Sequence, residues 1–162
     1  MVALRRCSTW AFCLCLLTLS ACHPKAKRQS ENVDSEVMRL AITSATHIGF
    51  LAELGQLDKV VAVTNKPLIY TPLPDSVMDL GDALSPNLEL LLQADVDLVL
   101  VCSYAGSQLE AQLDRLGIRY LAIGEWKETT PLQRTEWICT FGDLLGCRDK
   151  ADSIYAAVEK RY

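Results

Sequence analysis

The chain has 162 residues, with 16 Lys and Arg against 20 Asp and Glu and a formal net charge of −4 at pH 7. That length supports one domain with a real core and excludes two large ones. The acidic balance argues against nucleic acid as a partner.

The first segment has to be set aside before any fold is considered. "MVALRR" precedes "CSTWAFCLCLLTLSAC". Arg5 and Arg6 form a basic region, and Trp10 to Leu19 form an apolar run too short to span a bilayer comfortably, so residues 1–21 read as a secretory signal peptide. Leu19, Ser20 and Ala21 directly before Cys22 resemble a bacterial lipobox. On that reading the Cys22 thiol receives a diacylglycerol and begins the mature protein, with ordinary cleavage as the plainer alternative. Acyl chains contribute about 0.8 kcal/mol per buried methylene, enough for several chains to hold a protein on a membrane without a spanning helix. Losing Arg5 and Arg6 leaves 14 basic against 20 acidic residues, a net charge of −6. Residues 22–37 are polar, lack apolar periodicity and carry Lys25, Lys27 and Arg28 near the lipid end, so they read as a flexible tether. Of the 7 cysteines, Cys7, Cys13 and Cys15 leave with the signal. Cys102, Cys139 and Cys147 remain on apolar segments and read first as small hydrophobes, a Cys139–Cys147 bridge being the alternative in an oxidising compartment.

Over residues 38–146, β-rich runs alternate with helical patterns, the sign of a parallel α/β lobe with about four strands flanked by helices. "MRLAIT" (38–43) predicts the first strand and "THIGFLAEL" (46–54) a helix stopped by Gly55. "VVAVT" (60–64) predicts the second strand, and the proline-rich residues 65–84 an ordered loop. Ser85 and Pro86 predict a helix start, with Leu88, Leu91 and Leu92 on its apolar face. "VDLVLVC" (96–102) is uniformly apolar and predicts a central strand covered on both sides. "SQLE" (107–110) matches a capping box before a helix that Gly117 closes, and "IRYLAI" (118–123) predicts the fourth strand. Trp137, Ile138, Phe141, Leu144 and Leu145 fall at helical spacing after Thr130 and Pro131. Asp149 predicts the cap of a last helix with Ile154, Tyr155, Val158 and Tyr162 on one face, and the chain stops inside that pattern.

Several chemistries find no support in the sequence. The 8 glycines form neither a dinucleotide fingerprint nor a P-loop, and no H-E-x-x-H or G-x-S-x-G occurs. His23 lies in the tether, leaving only His47, so a metal site built from several histidines is excluded. His47 sits where the first strand meets its helix, an edge that binds ligands in many α/β proteins, although its first reading is a hydrogen-bonded residue near a helix start. Asp95 and Asp97 straddle a helix-to-strand turn and read as backbone-bonding acids rather than a catalytic pair. Tyr70, Tyr104 and Trp126 follow strands, which predicts an aromatic mouth suited to holding a bulky flat ligand.

"LAITSATHIGFLAELG", "DKVVAVTN", "LGDALSPNLELLLQADVDLVLV" and "LDRLGIRYLAIG" together resemble, in order and spacing, the substrate-binding lipoproteins of ABC importers for iron–siderophores, haem and vitamin B12. Val96 stands where that pattern usually has proline. The resemblance implies a lipid-anchored binding protein in the bacterial periplasm, not an enzyme and without a cofactor, whose ligand is cobalamin, haem or a ferric siderophore. "GEWKETTPL" leans towards cobalamin. It also implies docking to a membrane permease through Glu89, at the N-L-E position. The ligand would face Thr46, His47, Lys66, Tyr70, Gly81, Asp82, Ser103, Tyr104 and Trp126. The family has two lobes joined by a long helix, and the resemblance covers the N-terminal lobe and, over residues 147–162, the start of that helix. A truncated form lacking the C-terminal lobe is therefore expected. Two other classes compete: a small secreted α/β enzyme working through His47 or Asp82, and a half-receptor acting only as a permease-interaction protein.

Overall fold

Two apolar stripes, one on each face of the strands, determine the architecture. In the computed structural model, which describes residues 39–103 and 108–162, strand β1 (Leu40–Ile42) turns Leu40 and Ile42 to one side and Ala41 to the other. Strand β4 (Leu98–Cys102) divides likewise, Leu98 and Leu100 against Val99 and Val101, and all five of its residues are buried. Helices α1 (Ala45–Leu54), α4 (Pro131–Leu144) and α5 (Arg148–Glu159) cover the first side through Ile48, Leu51, Phe141 and Ala151. Helices α2 (Leu88–Gln93) and α3 (Leu109–Leu116) cover the second through Leu91, Leu109 and Leu113.

With β2 (Val60–Val63), β3 (Met78–Asp79) and β5 (Tyr120–Ile123), the sheet has five strands in the order β3-β2-β1-β4-β5, every pairing parallel. The chain leaves β1 for α1 on one face and leaves the adjacent β4 for α3 on the other. A crevice therefore opens between their carboxyl ends, the place where open α/β sheets receive ligands.

The expected strands and helices are present, with local corrections. The 65–84 loop contains a 3-10 turn at Lys66–Leu68 and the two-residue β3, paired through Ala62 with Met78 and Val63 with Asp79. Two residues are too few to carry a period, so β3 was invisible as a pattern. Asn87, not Ser85, caps α2: its Oδ1 accepts the Glu89 and Leu90 N–H groups at 3.0 and 3.1 Å, while Pro86 is buried before the helix begins. Gln108 precedes α3 without a side-chain cap bond, and the expected cap Ser107 lies outside the described residues. Cys147 precedes α5, which places Asp149 inside the first turn rather than at the cap. The Thr130–Gln133 capping box, with Pro131 in the first turn, starts α4. Residues 1–38, and with them the signal peptide, Cys22 and the tether, lie outside the described residues. No helix among the described residues is long and apolar enough to cross a membrane.

Helices α4 and α5 cross where neither carries a large side chain. A Cβ on Gly142 would lie 2.5 Å from the Ala151 Cβ and 3.2 Å from the Arg148 Cα. Gly142→Ala is expected to push the helices apart and lower unfolding free energy by about 1–3 kcal/mol, the usual cost of overpacking. Gly49→Ala, in α1 where a new Cβ meets nothing within 4 Å, is expected to raise it by up to about 1 kcal/mol through helix propensity. Denaturant unfolding of the two variants measures both, and equal effects would contradict the close-crossing account.

Candidate functional site

The carboxyl edge of the sheet is built from the strand ends outward. Where the ladder stops, buried Thr43 takes over: its N–H and Oγ1 both donate to the Leu100 carbonyl, at 3.1 and 3.2 Å, and its Oγ1 accepts the Cys102 N–H at 2.9 Å. Buried Thr64 repeats the device, its Oγ1 donating to the Thr43 carbonyl at 3.1 Å. These hydroxyls satisfy backbone groups that would otherwise be buried without partners, and they fix the point from which the edge loops depart.

The loop after β2 is held by its own lysine. Lys66 Nζ donates to the carbonyls of Asp75 and Val77. That leaves Leu68 and Tyr70 standing out at 67% and 98% exposure. Beyond β3, Asp79 Oδ1 accepts the Gly81 N–H at 2.9 Å, the Gly81 carbonyl accepts the Asn65 N–H at 2.7 Å, and Asp82 Oδ1 accepts the Leu84 N–H at 2.8 Å. Leu84 is 72% exposed. After β4, the Ser103 N–H donates to the Ile123 carbonyl at 2.8 Å, and the Ser103 carbonyl accepts the Trp126 indole N–H at 3.0 Å. Trp126 is partly exposed in the 3-10 turn Glu125–Lys127, with the Lys127 ammonium 5.4 Å from its ring centroid. Tyr104 lies outside the described residues.

His47 does not join this surface. Helical spacing groups it with Ile48, Leu51 and Leu54 on the core face of α1, where it is fully buried. Its Nε2 faces Glu125 Oε2 at 3.3 Å, and its ring packs against Phe141 with centroids 5.7 Å apart. Among the described residues, Nδ1 has no hydrogen-bond partner. Glu125 is buried as well. Burial pushes its carboxyl up, but the His47 hydrogen bond and charge, its own backbone N–H and the Arg134 guanidinium together hold it below the usual carboxylate range.

Of the expected ligand-facing residues, the fold brings Thr46, Gly81, Asp82, Ser103, Tyr70 and Trp126 to the carboxyl edge. It turns His47 inward and engages Lys66 with its own loop. Glu89 is exposed in the first turn of α2. Sequence reasoning missed Leu68 and Leu84 at the edge, and missed Glu125, whose only signal is an acidic residue two positions past a buried strand end. His47 is buried, and the Asp82 carboxylate closes a turn by accepting the Leu84 N–H. No cluster of three or more His, Cys, Asp or Glu able to hold a metal occurs among the described residues. The edge is open. Hollows of ≈ 200 and ≈ 460 Å³ lie elsewhere, one at the amino end of β5 beside Asp114 and Tyr120, the other around the α4–α5 turn.

Residues 40–162 match the family model described as periplasmic binding protein. Among solved structures, a periplasmic haem-binding protein from Pseudomonas aeruginosa is similar at 19% identity and a TM-score of 0.63, over 77% of this chain and 44% of that one. The siderophore-binding protein FhuD from Vibrio cholerae, bound to Fe3+-Desferal, is similar at 22% identity and 0.62, over 78% and 48%. These likenesses establish the fold. An uncharacterised lipoprotein of Methanocaldococcus jannaschii is 29% identical over 84 residues, 51% of this chain and 20% of that protein. The chain thus spans less than half the length of each of these relatives.

The depressed Glu125 carboxyl has a consequence for stability. A group held below its unfolded value contributes fully above the ordinary carboxylate value of 4.5 and loses that contribution as pH falls through the folded-state value. Glu125→Gln is expected to lower neutral-pH stability by about 1–3 kcal/mol. As pH falls below that ordinary value it is expected to lose stability less steeply than the wild type. Thermal unfolding over that fall in pH decides, and parallel curves would show that the pair is not linked to acid stability.

Proposed function

The chain belongs to the periplasmic binding protein family, and from that premise we propose that it captures a bulky metal chelate for an ABC importer. The observation that carries this reading is the carboxyl edge of the sheet, where Leu68 and Tyr70 after β2, Leu84 after β3 and Trp126 after β5 stand exposed on either side of the β1/β4 crossover, around a polar frame engaged in backbone bonding. Such a lip offers flat apolar contact with few titrating groups, the chemistry of holding a large ligand rather than transforming it. Haem and a ferric siderophore come ahead of cobalamin, supported by the ligand classes of the similar solved proteins. Thr46, Gly81, Asp82 and Ser103 supply hydroxyl and backbone groups around the lip, and Tyr104 is proposed beside them. Lys66 supports the lip by bracing its loop.

Exposed Glu89 is the proposed contact with arginines of the membrane permease, with its charge placed favourably in the first turn of α2. Lipidated Cys22 is the proposed anchor, holding the protein on the periplasmic side of a membrane. The lipoprotein relative supports this placement.

Haemin, ferric desferrioxamine and cyanocobalamin, titrated separately against tryptophan fluorescence, test the reading. Saturable binding of at least one is expected, with the ligand recovered unchanged. Tyr70→Ala and Trp126→Ala should each weaken it by about tenfold, the worth of one well-placed aromatic contact. Glu89→Ala should leave binding intact and reduce association with the permease. Failure of all three to bind, or chemical conversion of a bound one, would overturn the proposal.

A further inference from the structure

Glu125 and Trp126 are consecutive and point opposite ways, one into the core and one onto the lip. The inward carboxylate meets His47 Nε2 at 3.3 Å, and the outward indole donates to the Ser103 carbonyl at 3.0 Å. His47 belongs to the helix after β1, Ser103 follows β4 and Glu125 follows β5, so these two bonds tie together the carboxyl ends of three adjacent strands. Nε2 must carry the proton to bond a carboxylate. Nδ1 meets no partner among the described residues, so the Nε2 bond sets the imidazole's direction while Phe141 packs against its ring.

A buried carboxylate held by a hydrogen-bonding partner contributes little to stability by itself, because well-packed apolar residues of similar volume often serve as well or better. What it adds is direction: apolar contacts allow a turn to slide and rotate, whereas a buried hydrogen bond to a charged group fixes its register. We propose that the His47–Glu125 pair is a positioning device that sets the Trp126 turn, holding the indole in its place on the lip without itself touching ligand. The inference rests on the binding reading for its purpose, but its geometry can be tested without any ligand.

The experiment follows hydrogen exchange of the Trp126 indole N–H in the 15N-labelled chain, its signal assigned by loss in Trp126→Phe. The Val99 backbone N–H, bonded to the Arg119 carbonyl at the opposite end of the sheet, serves as the reference. In His47→Leu the Trp126 signal should exchange about tenfold faster, the scale of one lost hydrogen bond to a charged group, with Val99 little changed. In His47→Gln, whose amide can still donate to Glu125, protection should return. Unchanged Trp126 exchange in folded His47→Leu overturns the proposal. So does equal acceleration of Trp126 and Val99, which would reveal only a general loss of stability. Should His47→Leu not fold, Glu125→Asp, which keeps the charge but shortens its reach, carries the same two readings. If the three chelates fail to bind but Trp126 exchange responds as expected, the positioning pair stands and only its use for ligand capture falls.

Discussion

A parallel sheet covered by helices on both faces leaves few places where polar groups can meet solvent: the two ends of its strands. Every residue of β4 is buried, and β1 beside it is likewise buried along its length. No loop or side chain can reach water through those faces without breaking the core. Any specific surface organised by this sheet is therefore pushed to its edges. The strand order favours the carboxyl edge, because the chain departs from β1 and β4 to opposite sides and leaves a gap between them.

At that edge the structure separates two tasks. Short polar side chains do the framing: Thr43 and Thr64 complete the ladder, while Asp79 and Asp82 close turns through backbone N–H groups. Large apolar side chains, Tyr70, Leu68, Leu84 and Trp126, are left facing outward. The framing acids and hydroxyls are already bonded to the backbone, whereas the lip consists of groups that gain most from contact with a large apolar body. Competition between an enzyme and a binding module is thus weighed by what the polar groups are already doing, rather than by which residue types are present.

Much of this was legible in the sequence for a physical reason. Two-sided burial writes itself as the unbroken apolar run at residues 98–102, helical faces as leucines at three- and four-residue spacing, and helix ends as Gly55 and Gly117, both in the left-handed conformation. Features decided by one or two residues in tertiary context were not legible. Strand β3 is too short to show alternation, and the cap of α2 falls on Asn87 because the Leu80 carbonyl takes its N–H and buried Pro86 leads into the helix. His47 reads as an edge residue by its position after β1, yet the helical period carries it inward with Ile48 and Leu51. Its partner is 78 residues away in sequence, and no local pattern announces a contact of that range.

The inward turn of His47 also changes how the edge should be understood. Were it a surface imidazole, the lip would carry a titrating group beside its aromatic residues, and its affinity for a charged chelate would follow that group's protonation. Buried against Phe141 and bonded to Glu125, the imidazole instead lies beneath the lip, one residue from Trp126 in the chain of contacts. The carboxylate stays in the core, where the low dielectric strengthens its hydrogen bond, and the imidazole adds no group to the surface above. On the proposed function, a lobe that holds a large flat molecule would gain from that arrangement twice: its aromatic contact would be oriented in advance, and fewer polar groups would have to be desolvated when the ligand arrives.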